Sequence, residues 1–130
     1  MKPLAATDII AFLPIVDIAQ AKNFYGEVLG LKFLSDEAPF ALVFDAHGIM
    51  LRLIIMKELP PKFGTALGWC VADVAVMVKK LTAAGIIFER YEGMEQDALG
   101  IWTAPTGAKI AWFKDPDGNI LSISEHPELG

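Results

Sequence analysis

Cysteine is nearly absent from the 130 residues: Cys70 stands alone, so no internal disulfide can staple the fold. Histidine is almost as scarce, with only His47 and His126. Basic charge is outnumbered, 11 Lys and Arg against 16 Asp and Glu, for a formal net charge of −5. Lys79-Lys80 is the one adjacent basic pair, and no basic stripe runs along the chain. That balance argues against nucleic acid as a partner. Long apolar runs are missing too. The longest, Ile9 to Val16, is far short of the ~20 residues a membrane helix needs. A secretory signal is not expected, because Asp8 interrupts the only candidate apolar stretch after Lys2. These absences predict a cytoplasmic protein with no membrane partner. No Ser-His-Asp pattern, phosphate-binding glycine loop, CxxC motif or paired-carboxylate spacing is visible, so no assembled catalytic machinery is read.

What the chain has in excess is apolar residues, 54% of the total, in a length that suits one domain. They are arranged in an internal repeat. Ile15-Val16-Asp17-Ile18 matches Val71-Ala72-Asp73-Val74. Each reads as the end of a strand followed by an Asp able to cap a helix. Apolar residues then fall at helical spacing: Ile18, Ala21, Phe24, Tyr25, Val28 and Leu29 in the first copy, and Val74, Met77, Val78 and Leu81 in the second. Gly30 and Gly85 suit the left-handed stop of a helix. Strand starts follow at Leu31-Lys32-Phe33 and Ile86-Ile87-Phe88. Later, Asp45-Ala46-His47-Gly48 matches Asp115-Pro116-Asp117-Gly118, each a turn before a final strand. The second copy is longer between Tyr91 and Lys109, a stretch that reads as loop. The order is strand, helix, three strands, twice over. It predicts a single domain over 1–130, with module one at 8–58, a linker at 59–65 and module two at 66–126.

Two groups of residues carry a family resemblance. One is Val16-Asp17 with Phe24-Tyr25 and Val28-Leu29-Gly30-Leu31. The other is Phe113-Lys114-Asp115-Pro116-Asp117-Gly118-Asn119. With them the chain resembles, over nearly its whole length, the vicinal oxygen chelate superfamily, which includes glyoxalase I, bleomycin-resistance proteins and extradiol dioxygenases. The resemblance implies an α+β fold in which two β-α-β-β-β modules form a cup-shaped mixed sheet with helices on the outside. It also implies a question about metal. Metal-using members hold a divalent ion with His, Glu or Gln from the first and last strands of the modules. Here those positions fall on Ile10, Arg52, Ala66 and Ser122. None is a His or a carboxylate, and Arg offers no lone pair. No cofactor is therefore expected. His47, Glu58, Glu125 and His126 remain as candidates for an unusual metal site.

Strand alternation predicts which residues share the concave face. Ile10 brings Phe12 and Pro14; Arg52 brings Met50 and Ile54; Ala66 brings Gly68 and Cys70; Ser122 brings Ile120 and Ser124. The opposite parity is uniformly apolar, as a helix-covered core requires. The expected ligand-binding residues are Arg52, Phe12, Met50, Ile54, Cys70, Tyr91, Trp102, Ser122 and Ser124. Arg52 is the odd one, a lone cation in an apolar strand, and needs a partner. Either it forms a salt bridge, with Glu89, Glu92 or Glu95 as candidates, or simply stays exposed at the mouth of the cup; or else, as a second case, it grips a ligand anion. In the second case Arg52→Met weakens anion binding by ~1.5–3 kcal/mol. Trp112 reads as core and Cys70 as a small core residue.

Three functions compete. The first is a metal-independent binder enclosing a small anionic or aromatic organic molecule, as bleomycin-resistance members do. The second is a metal-dependent lyase, isomerase or dioxygenase of the same superfamily with displaced ligands. The third is an interaction module. A homodimer is expected as well, because apolar residues are in surplus, those of the insert, Leu99, Ile101 and Trp102, need a cover, and edge strands would gain from a partner.

Overall fold

The computed structural model describes residues 3–62 and 64–127. Its two helices begin where the repeat places them. Asp17 Oδ1 accepts from the Gln20 amide at 2.9 Å, and Asp73 Oδ1 accepts from the Val76 amide at 3.1 Å. Each carboxylate satisfies an amide that a helix start leaves without a partner. Helix α1 (Ile18–Asn23) runs on into a π-helical turn, Phe24–Val28, and α2 spans Val74–Ala83. Past each helix a glycine turns left-handed, Gly30 at φ 79° and Gly85 at φ 100°.

The strands are β1 (Ile10–Ile15), β2 (Lys32–Glu37), β3 (Ala41–Ala46), β4 (Ile49–Ile55), β5 (Leu67–Cys70), β6 (Trp102–Thr103), β7 (Lys109–Lys114) and β8 (Ile120–Glu125). They form two four-stranded sheets, ordered β1-β4-β3-β2 and β5-β8-β7-β6. In each sheet the first strand in the chain runs parallel to the last, and the other pairings are antiparallel. The fold is therefore α+β with mixed sheets, and the chain divides into two compact units, Met1–Pro60 and Pro61–Gly130. The division falls inside the stretch 59–65.

Each unit buries one sheet face under its helix. In the first, Leu13, Ile15, Leu42, Phe44, Leu51 and Leu53 are fully buried. Tyr25 reaches them from the π-helical turn, its ring 6.1 Å from that of Phe44. In the second, Val74 and Val78 of α2 are buried with Ala111, Phe113, Leu121 and Ile123. The late motif is a turn held by its own side chains. The Asp115 carboxylate accepts from the amides of Asp117 and Asn119 and from Asn119 Nδ2, and both Asp115 and Asn119 are buried.

The insert differs from the loop expected. Trp102–Thr103 is strand β6, paired antiparallel to β7. Ile101 is buried in the core at 5% exposure, so it needs no cover from a second copy. The expected strand start at Ile86-Ile87-Phe88 shrinks to a single bridge, Phe88 to Phe113. Gln96 organises the stretch between them. Its Oε1 accepts from the Tyr91 amide at 2.7 Å, and its Nε2 donates to the carbonyls of Glu89 at 3.0 Å and Gly100 at 2.8 Å.

Candidate functional site

The sheet faces opposite the helices carry the side chains of interest. In the first unit the register aligns Ile10 with Met50, Phe12 with Arg52 and Pro14 with Ile54, so these six share the open face. Phe12 is 58% exposed there. Ala41 and Val43 of β3 join them, opposite Ile54 and Arg52, and on β2 Glu37 and Ser35 stand opposite Ala41 and Val43. Arg52 therefore reaches diagonally across β3. Its Nη2 donates to Glu37 Oε1 at 2.7 Å, while Ser35 Oγ donates to Glu37 Oε2 at 3.2 Å. The partner of Arg52 is thus Glu37, not Glu89, Glu92 or Glu95; Glu89 instead lies 3.5 Å from Lys114 Nζ. The hydrogen bond and charge of Arg52 hold the Glu37 carboxyl below its ordinary pKa.

In the second unit the open face is aromatic. Trp112 stands opposite Ser122, and Trp102 and Ser124 opposite Ile110. The Trp102 and Trp112 rings lie 6.2 Å apart, and Tyr91 meets Trp112 edge-on at 5.6 Å. Trp112 is not core, as its strand position suggested, but half-buried, with its indole Nε1 donating to Thr65 Oγ1 at 3.0 Å. The Tyr91 hydroxyl oxygen is shielded from solvent and has no hydrogen-bond partner among the described residues. Burial, reinforced by the charge of Glu89, pushes its pKa up. Cys70 is exposed rather than a core residue. It sits beside Ser124 in the parallel register, and Ser124 Oγ lies 2.8 Å from His126 Nε2.

The sequence profile of the Glyoxalase/Bleomycin resistance protein/Dioxygenase superfamily matches residues 8–123. The chain belongs to this superfamily. No curated protein matches the sequence. Solved structures of the superfamily share the fold. A glyoxalase family protein from Enterococcus faecalis is 25% identical with a TM-score of 0.71, over 92% of this chain and 98% of its own. An antibiotic binding protein from Streptomyces sp. CB03234 is 24% identical with a TM-score of 0.68, over 93% and 98%. A lactoylglutathione lyase from Agrobacterium tumefaciens is 20% identical with a TM-score of 0.68, over 93% and 95%.

The metal positions implied for this superfamily are a poor match to these side chains. Ile10 and Ala66 offer no donor, and the Arg52 guanidinium is a cation bound to Glu37. Ser122 is left with a neutral hydroxyl. The fallback candidates do not gather either. Glu125 Oε1 accepts from the Val74 amide at 3.0 Å, at the start of α2, whereas His126 contacts Ser124. His47 occupies the β3–β4 turn at φ 51°. Among the described residues, no three His, Cys, Asp or Glu side chains come together as metal ligands. A polar cleft of about 360 Å³ at the start of α2 includes Asp73, Asp97, Lys109 and Glu125. Its carboxylates serve backbone amides: Asp73 that of Val76, Asp97 those of Leu99 and Ile101, and Glu125 that of Val74.

Proposed function

We propose that this superfamily member binds a small aromatic organic molecule on its open sheet faces and does so without a metal. The observation that carries the reading is the Tyr91, Trp102 and Trp112 group, three half-buried aromatic rings beside small polar side chains. Such rings give a planar ligand large contact area with little loss of rotamer freedom. Phe12, Met50 and Ile54 give the first unit an apolar surface of similar use, crossed by the Arg52–Glu37 ion pair. The likeness to an antibiotic binding protein supports a binding role, and the missing donors count against a metal-dependent lyase, isomerase or dioxygenase. The proposal includes a cytoplasmic setting, which suits an exposed unpaired Cys70, and a homodimer.

The test uses 1-naphthamide as the probe. Tryptophan emission is expected to change saturably on titration. Trp112→Leu is expected to weaken binding about tenfold, or about 1.4 kcal/mol, within the range for aromatic contacts and lost area together. An emission that never saturates, or an affinity that Trp112→Leu leaves untouched, contradicts the reading.

A further inference from the structure

The pairing of Arg52 with Glu37 changes what the first unit can recognise. A lone guanidinium on an apolar face would favour an anion. Here one of its nitrogens, Nη2, is already bonded to Glu37 at 2.7 Å. Among the described residues the other, Nη1, has only the Met50 sulfur as a hydrogen-bond partner, at 4.0 Å, a weak acceptor at long range. The second Glu37 oxygen is only loosely occupied, by Ser35 Oγ at 3.2 Å. Both side chains keep access to solvent, 26% for Arg52 and 45% for Glu37. The face thus presents a free N–H donor and a carboxylate acceptor side by side, with no net charge between them. The surroundings are apolar: Phe12 opposite Arg52 on one side, Val43 on the other, and Ile54 next to Pro14.

We propose that Arg52 and Glu37 act together as a neutral donor–acceptor pair that selects an uncharged amide group on the ligand and rejects a free carboxylate. This rests on the reading that the open faces bind an organic molecule, and it names the polar group such a molecule carries. An amide brings a carbonyl oxygen to Arg52 Nη1 and an N–H to Glu37 without disturbing the existing bridge. A carboxylate has no proton to offer Glu37 and meets it as a like charge. It must either displace Glu37 from Arg52 or accept that repulsion, which is how a charged group excludes a wrong partner. Desolvation under a bound ring strengthens both effects.

The experiment follows the side-chain Nε–Hε resonance of Arg52 in ¹⁵N-labelled protein during titration with benzamide and with benzoate, two rings of nearly equal size. Benzamide is expected to move the resonance saturably, with a dissociation constant at least tenfold below that of benzoate. In Glu37→Gln, which removes the carboxylate charge and frees the guanidinium, benzoate is expected to overtake benzamide. Benzoate binding as tightly as benzamide in the unaltered protein overturns the proposal, and that comparison does not depend on the variant folding. An unchanged preference in a folded Glu37→Gln protein overturns it too. If neither probe moves Arg52 while 1-naphthamide still saturates tryptophan emission, the selectivity falls and the binding function stands. If all three probes fail, both fall.

Discussion

Gly68 and Ser122 face each other across β5 and β8. A methyl group on Gly68 would lie 2.5 Å from Ser122 Oγ, closer than atoms tolerate, whereas Ser122 Cβ would lie at an ordinary 3.8 Å. Gly68→Ala is expected to lower stability by about 1–2 kcal/mol through overpacking. Most of that loss should vanish in a Ser122→Ala background, because the colliding oxygen is gone. Urea denaturation of the four proteins in that cycle measures it. A Gly68→Ala penalty that persists in full beside Ser122→Ala contradicts the contact.

Much of the open face was legible at this scale. Strand parity alone put Phe12, Met50, Arg52 and Ile54 on one face, and the register agrees. Parity did not supply the partner of Arg52. Glu37 lies 15 positions away, and the register shifts between Phe33 and Ser35, so alternation from the start of β2 gives the wrong face for Glu37. Alternation backward from the turn before Ala41 would have found it. Its strand position alone makes Trp112 read as core. Its own parity opposes the buried Ala111 and Phe113, and that pattern was available in the sequence.

At the scale of elements, the helices were legible because their punctuation is local. Asp17 and Asp73 cap, Gly30 and Gly85 stop, and the apolar stripe falls between. Strand β6 was not legible. Two residues are too few to show alternation, and the stretch before them is ordered by the polar side chains of Gln96 and Asp97 rather than by a hydrophobic pattern. Gln96 bonds three backbone groups from 89 to 100, and Asp97 Oδ1 accepts from the amides of Leu99 and Ile101. Replacing Gln96 with Leu keeps similar bulk but leaves those half-buried backbone groups without partners. Gln96→Leu is expected to cost about 2–3 kcal/mol, near 1 kcal/mol for each bond. Amide exchange should accelerate first at Tyr91 and Ile101 if the stretch opens locally. Exchange there that matches the unaltered protein contradicts the role given to Gln96.

At the scale of the whole molecule, exposed apolar side chains remain even after both cores are filled. Ile10, Phe12, Leu34, Phe40, Met50 and Ile87 are all exposed. Ile101, buried within its own unit, adds nothing to the case for a dimer, but this exposed surface is the apolar surplus on which that expectation rests. Sedimentation at micromolar concentration is expected to give a species near twice the chain mass of 14.1 kDa. A single species near 14.1 kDa contradicts the dimer. Either outcome leaves the binding function open to a direct test. The binding function proposed for this superfamily member is capture of an aromatic molecule by its own side chains, with no metal as intermediary. Calorimetric titration with 1-naphthamide, before and after exhaustive treatment with EDTA, tests it most directly. Saturable binding of the same affinity and stoichiometry is expected in both preparations. Binding that disappears on chelation and returns when a divalent metal is restored would contradict it.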